Sequence, residues 1–400
     1  MPAICFYFQV HQPFRLRNFS YFEIGQGKSD YFDEAKNGEI LRKVARKCYL
    51  PTNAKLKDLI DRHGGKFRVS FSITGTVIEQ MRRYCPEALA SFRALAKTGA
   101  VEVLCETSHH SLAALYDTAE FANQVERQRE LVQEHFGQTP TVFRDTELIY
   151  DDAIGELAAD LGFVGVLAEG ADDLLAWRSP NFVYRHPRRA LAVLLKNYRL
   201  SDDIAFRFSD RNWSEWPLSS ERFSEWVHKI SGTGDVVNLF MDYETFGEHQ
   251  WAESGIFDFL DALPARILAK PDWGFATPSE VIARYPSVAE MPFHRTVSWA
   301  DTERDLTAWR GNAMQDQALA EAYSLADAVR ARNNPATTEV WRKLLTSDHF
   351  YYMCTKFFAD GDVHMYFNPY ASPYDAFINY MNVLSDFRDH VLTTPPQQAR

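Results

Sequence analysis

The stretch Asp235-Val-Val-Asn-Leu-Phe-Met-Asp-Tyr-Glu-Thr-Phe-Gly-Glu-His-Gln-Trp251 decides the fold. It opens as an apolar run, Val236 to Met241, with Gly232 and Gly234 behind it and Gly247 ahead. A short run without polar alternation predicts a strand buried on both faces, the kind found in parallel sheets. Where the apolar character stops, Asp242 and Glu244 appear. Strand side chains alternate with period two, so both carboxylates face one way if the strand continues through Glu244. Barrels and open α/β sheets build their active sites at the carboxyl ends of such strands. A solvated turn carrying two acids would give the same local pattern.

The pattern recurs along the chain. A first strand, 3–10, ends in His11-Gln-Pro13, and residues 14–38 read as a long loop. Further strands are expected at 67–73, 99–106, 141–147, 163–169, 192–195, 204–208 and 274–276. In the 99–106 segment Glu102 and Glu106 fall on one side, and His109 and His110 follow. Helical periodicity fills the intervals at 39–48, 53–63, 76–83, 86–97, 118–136, 151–161, 219–231 and 254–269, with Gly137 capping the fifth. Alternating strands and helices up to residue 290 predict βαβ units around a parallel sheet. Roughly seven units, with polar residues at His11, Glu102/Glu106, Glu147 and Asp242/Glu244, predict a closed or nearly closed barrel active at its carboxyl rim. Beyond a Pro-containing connector at 285–293, strand patterns cease. Helices expected at 301–309, 314–332, 337–346, 349–358 and 373–391 predict an α-helical bundle. Ser372 and Pro373 mark the start of the last one. The chain therefore divides into a barrel domain over 1–292 and a bundle over 293–400, with a frayed tail from Thr393.

Composition narrows the chemistry. A net charge of −11 without any Lys/Arg block excludes a nucleic-acid partner. Five cysteines, odd in number and without a C-x-x-C pair, predict reduced thiols in a cytoplasmic protein. The amino terminus enters a strand directly, which predicts no secretion. No apolar run approaches the roughly 18–20 residues that span a bilayer. Neither a nucleophile elbow nor a phosphate-binding glycine loop occurs. A site rich in carboxylates, poor in bases and bordered by aromatic rings suits glycoside hydrolysis, which uses two carboxyl groups flanking the scissile bond. Nine tryptophans offer flat apolar faces for sugar rings.

Five segments sharpen this. His11-Gln-Pro13, Gly99-Ala-Val-Glu-Val103, Phe143-Arg-Asp-Thr-Glu-Leu-Ile-Tyr150, Met241-Asp-Tyr-Glu-Thr-Phe-Gly-Glu-His249 and Val297-Ser-Trp-Ala-Asp301 occur in that order. Together they resemble the five sequence regions of glycoside hydrolase family 57, particularly its α-amylase-like branch. The resemblance runs from His11 to about Trp309, and the helical remainder resembles that family's C-terminal bundle. It implies an incomplete, TIM-like (β/α)7 barrel followed by an α-helical bundle, and a retaining mechanism on α-1,4-glucans such as starch, glycogen or maltodextrin. It implies no cofactor and no metal.

Carried over residue by residue, the resemblance makes Glu147 the nucleophile and Asp242 the acid/base. It assigns His11, Glu102, Glu244, Trp299 and His110 to substrate binding. The Glu106-Thr-Ser-His-His110 segment departs from the commoner Tyr-Tyr-His form, which bears on the nearest subsite. Glu147 must be ionised to attack, and Arg144 would favour that charge if it turns toward the site. Asp242 must start protonated, which a like-charged neighbour such as Glu244 or Glu147 would promote. The same residues would serve a 4-α-glucanotransferase or a branching enzyme, or a glucan-binding protein without turnover. A metal-dependent deacetylase would need an H-x-x-x-H pair, and adjacent His109-His110 does not supply one.

Overall fold

The computed structural model of the chain describes residues 2–356 and 368–393. Its strands are β1 (Ala3–Val10), β2 (Val69–Ile73), β3 (Val101–Val103), β4 (Val142–Arg144), β5 (Gly165–Glu169), β6 (Val183–Arg185), β7 (Ala192–Lys196), β8 (Val236–Asp242) and β9 (Gly274–Phe275). β1 pairs in parallel with β2 and with β8, and its first two residues also pair with β9. β2 continues in parallel to β3. A second parallel run joins β4, β5 and β7, with β6 antiparallel to β7.

Two seams join these runs into a ring. A parallel bridge between Cys105 and Phe143 carries β3 into β4, with Arg144 N donating to Cys105 O at 2.9 Å. At the other seam Asn197 N donates to Asn238 O at 2.9 Å, and Asn238 Nδ2 donates to Leu195 O at 2.9 Å. Lower on that seam β6 intervenes, its flanking Asn181 carbonyl accepting from Asp235 N and Val236 N. The ring β1-β2-β3-β4-β5-β7-β8 is a barrel of parallel strands, closed with few ladder bonds at its seams.

Side-chain alternation explains why these strands read as unbroken apolar runs. Ala3, Cys5 and Tyr7 of β1 fill the lumen with Val142, Leu167, Leu194, Val236 and Phe240. Ile4, Phe6, Phe8 and Val10 point outward into the helical layer. With helices outside and side chains inside, neither face meets water.

Several local expectations change for identifiable reasons. The segments expected as two helices at 39–48 and 53–63 form one rod: Glu34–Val44, a π-helical turn Ala45–Tyr49, and Leu50–Arg62. Pro51 has no N–H to give the Lys47 carbonyl, so the ladder shifts register there. Gly247 packs against that same carbonyl; a Cβ at Gly247 would lie 2.0 Å from Lys47 O, and its φ is +103°. The 204–208 strand is absent, because Asn197 caps a helix over Tyr198–Ala205 by accepting from Leu200 N. β6 was not expected. The 301–309 helix shrinks to Thr307–Arg310, since Asp301 and Arg304 both take left-handed backbone at φ 51°. The 314–332 helix divides into Ala313–Ser324 and Ala326–Arg332. The helix expected at 349–358 is Ser347–Tyr351, its expected end lying outside the described residues. The expected fraying beyond Thr393 also falls outside them.

The C-terminal helices dock on one flank of the barrel. Trp309, Trp341, Phe350 and Tyr380 share a single apolar cluster with Phe143, Val166 and Val193 of the strands and with Leu16, Phe19 and Tyr31 of the first long loop. Among the described residues no helix is long and apolar enough to cross a membrane. All five cysteines are free thiols.

The seam gives a direct test. Asn238→Ala removes the side-chain bond to Leu195 O inside the closed ring, and a buried backbone acceptor then lacks that donor. The expected loss is about 1–3 kcal/mol of folding stability, read as a lower urea midpoint at unchanged m-value.

Candidate active site

Parallel strands put all their carboxyl ends on one rim, so the loops after β1, β3, β4 and β8 converge there. His11, His110, Glu147, Asp242, Glu244 and Asp348 line one pocket on that rim.

Glu147 sits on a tight turn after β4. Glu147 and Leu148 are both left-handed, at φ 58° and 51°, which costs an L-residue about 1–2 kcal/mol each. The turn persists because it is bonded throughout: Leu148 N to Asp145 O at 3.0 Å, Ile149 N to Thr146 O at 2.9 Å, and Trp299 N to Glu147 O at 3.1 Å. Strain of this sort collects at functional sites. It aims the carboxylate between two partners, His110 Nε2 2.8 Å from Oε1 and Trp299 Nε1 donating to Oε2 at 2.7 Å.

Asp242 is the last residue of β8 and lies in register with Gln9 of β1. The strand stops there, and Tyr243–Thr245 form a 3-10 turn. Asp242 and Glu244 therefore share the pocket through a turn, not through strand alternation. Glu244 accepts from Tyr49 Oη and, at 3.4 Å, from Gln12 Nε2. Burial pushes its pKa up to about 8, with the charge of Asp242 adding to the shift, so Glu244 carries its proton at neutral pH.

Two imidazoles stack beside this pair, the rings of His11 and His110 lying 4.1 Å apart at 24°. His110 bridges carboxylates: its Nδ1 is 2.9 Å from Glu106 Oε2 and its Nε2 is 2.8 Å from Glu147 Oε1. Burial opposes charge on this ring, but the two hydrogen bonds and the two carboxylate charges outweigh it and push its pKa up to about 9. His11 contacts Thr74 Oγ1 through Nδ1 at 2.9 Å and Asp348 Oδ2 through Nε2 at 3.0 Å. Burial, then the neighbouring His110, lowers its pKa despite Asp348. A charged ring thus faces a neutral one.

Arg144 lies fully buried beneath the pocket, over the rings of Trp299 at 4.8 Å and Tyr7 at 5.8 Å. Its Nη1 is 3.7 Å from Glu106 Oε2, and no guanidinium nitrogen finds a hydrogen-bond acceptor among the described residues. Trp299 is held from behind: its carbonyl accepts from Arg304 Nη1 at 2.8 Å, and Asp202 pairs with both Arg304 and Lys196, at 3.0 and 3.1 Å.

Of the residues expected to bind substrate, His11, His110 and Glu244 line the pocket and Trp299 reaches it through Glu147. Glu102 does not. It lies four residues before Glu106, roughly 13 Å deeper along an extended strand. Its Oε2 accepts from Ser279 N at 3.0 Å and Ser279 Oγ at 2.9 Å, capping the helix Pro278–Arg284 at the barrel floor. Glu106 lies nearer the rim, fully buried behind His110. Sequence reasoning also missed Asp348, which comes from the C-terminal helices and carries no strand-end pattern. Among the described residues no group of three or more His, Cys, Asp or Glu side chains is placed to hold a metal ion.

Comparison with known proteins adds independent findings. The model for Glycosyl hydrolase family 57 matches residues 5–294. A Methanocaldococcus jannaschii protein provisionally named an alpha-amylase is 41% identical over 403 aligned positions, covering 97% of this chain and 84% of that protein. The fold is shared with the 4-alpha-glucanotransferase of Thermococcus litoralis at a TM-score of 0.64 and 14% identity, over 87% of this chain but only 56% of that one. It is shared with the alpha-amylase AmyC of Thermotoga maritima at a TM-score of 0.62 and 13% identity, over 98% and 94% of the two chains. At such identities the structural likeness concerns the fold alone.

The floor position of Glu102 has a measurable consequence. Glu102→Ala removes two helix-capping hydrogen bonds and is expected to cost about 1–2 kcal/mol in denaturant unfolding. Turnover and substrate KM should stay at wild-type values; a raised KM with unchanged stability would return Glu102 to the pocket.

Proposed function

Because the chain belongs to glycosyl hydrolase family 57, and is thus a glycosidase by family, we propose that it hydrolyses α-1,4-glucans with retention, using Glu147 as nucleophile and Asp242 as acid/base. The substrate class is suggested by the names of its relatives, an alpha-amylase and a 4-alpha-glucanotransferase among them. The assignment of Glu147 rests above all on one observation. Its carboxylate is held at both oxygens, by His110 and Trp299, on a strained turn inside the pocket that Asp242 also lines.

In the first half-reaction an oxygen of Glu147 attacks the anomeric carbon. Asp242 gives its proton to the glycosidic oxygen, and the bond between that oxygen and the anomeric carbon breaks. The result is a glycosyl ester on Glu147 and a released sugar hydroxyl. In the second half Asp242, now a carboxylate, takes a proton from water as the water oxygen attacks the same carbon, and the ester bond returns its electrons to Glu147.

His110 and Trp299 orient the nucleophile before they meet sugar. Glu244 offers a hydrogen-bonding carboxyl group to the bound ring, and His11, its nitrogens engaged by Thr74 and Asp348, offers a wall of the pocket. The barrel over 1–292 supplies the reacting groups, and the helical part over 293–400 completes the wall of the pocket with Asp348.

Glu147→Gln and Asp242→Asn should each lower kcat on maltoheptaose by roughly three orders of magnitude or more with the fold intact by circular dichroism. Proton NMR of the wild-type reaction should show the α-anomer as first product. A β-anomer would end the retaining assignment, and a ladder of longer as well as shorter oligosaccharides would make the protein a transferase.

A further inference from the structure

Glu106 has no part in the mechanism above, yet it is fully buried one contact away from the nucleophile. It receives Gln9 Nε2 at 3.0 Å, the hydroxyl of Ser72, and His110 Nδ1 at 2.9 Å. His110 reaches onward to Glu147 through its other nitrogen at 2.8 Å. An ionised carboxylate accepts hydrogen bonds and donates none, so a ring with a carboxylate at each nitrogen satisfies both only as the doubly protonated imidazolium. A neutral ring would set one bare nitrogen lone pair against a carboxylate oxygen in a buried site.

We propose that Glu106 and His110 form a fixed ion pair that holds Glu147 as an oriented anion, with His110 the contact to the nucleophile and Glu106 the positioning residue behind it. This rests on Glu147 being the nucleophile. The charges around His110 support it. Glu106 faces it from the end of β3, and Glu147, with Asp145 and Arg144, from β4 and its turn. His11, backed by Asp348, faces it from β1, and Asp242 shares the pocket from β8. Of the cations, Arg144 sits against Glu106 at 3.7 Å and His11 is kept neutral, so the two carboxylates prevail. Ser347 N, from the C-terminal helices, donates to the His110 carbonyl at 2.9 Å and helps fix a backbone at φ 50°, uncommon for a residue other than glycine.

Glu106 matters most when Glu147 is esterified. As the Glu147 oxygen bonds the anomeric carbon and the leaving oxygen takes the Asp242 proton, Glu147 loses its charge. The His110 proton stays on the ring because Glu106 still balances it. Without Glu106 the imidazolium would stand unpaired in a buried site and would release its proton. Glu147 would then lose the charged donor that stabilises it as the departing carboxylate in the second half-reaction.

The experiment is an imidazole nitrogen NMR titration of the full chain, wild type and Glu106→Gln, with kcat and KM across pH. In the wild type both His110 nitrogens should stay protonated through neutral pH, with a midpoint near 9. In Glu106→Gln that midpoint should fall by at least about one unit, and kcat above the new midpoint should fall about tenfold or more while KM changes little. Glu106→Asp should recover part of both. A wild-type His110 that titrates at the ordinary histidine value, or a midpoint indifferent to Glu106→Gln, overturns the proposal; if that variant does not fold, the wild-type titration decides alone. An active enzyme with a neutral His110 removes the ion pair and leaves the hydrolase reading, whereas a fully active Glu147→Gln removes that reading instead.

Discussion

Closure of the barrel is the constraint on which everything else depends. Parallel strands share one direction, so a closed ring of them has a single carboxyl rim, and every loop after a strand must emerge there. Closure rests on few bonds: the Cys105–Phe143 bridge on one side, and the Asn197–Asn238 and Asn238–Leu195 contacts on the other. These contacts bring the ends of β3 and β4 together, so that His110 and Glu147 can touch. Opened at that seam, the same residues would lie on two separate sheets.

The second constraint is charge in a buried site. Glu106, Glu147 and Asp242 converge with Arg144 and His110 where an unpaired charge is costly. Each group answers in its own way. His110 takes a proton because two carboxylates flank it, Glu244 keeps one because it is buried and then because Asp242 is near, and His11 gives one up because it is buried and then because His110 is already charged. Arg144 stays charged against burial, between two aromatic faces. These protonation states follow from packing before any sugar enters.

The chain order of strands, the buried character of β1 and β8, and the polar residues at their ends were readable because two-sided burial leaves an apolar run that ends abruptly. Glu147 and Asp242 stand out on that ground and on their motifs, and both line the pocket. Glu102 was misplaced because period-two alternation assigns a face but not a depth; Glu102 and Glu106 share a side, and only where β3 starts and stops puts one on the floor and the other nearer the rim. Residues 204–208 resembled a strand because Ile204, Phe206 and Phe208 alternate, while the cap at Asn197 and burial of Ile204 and Ala205 against the barrel select a helix.

What the sequence alone determined is therefore local: alternation, the helix ends at Gly137 and Pro373, and the identity of the acids at strand ends. Tertiary structure alone decided which of those acids meet and in what protonation state. Asp348 stands 337 residues from His11 in the chain yet bonds it at 3.0 Å, and Trp299 reaches Glu147 from 152 residues away. No periodicity encodes such a contact, because it depends on how the helical flank docks and on where the barrel closes. The charge on His110 depends in turn on the two carboxylates that closure places at its nitrogens.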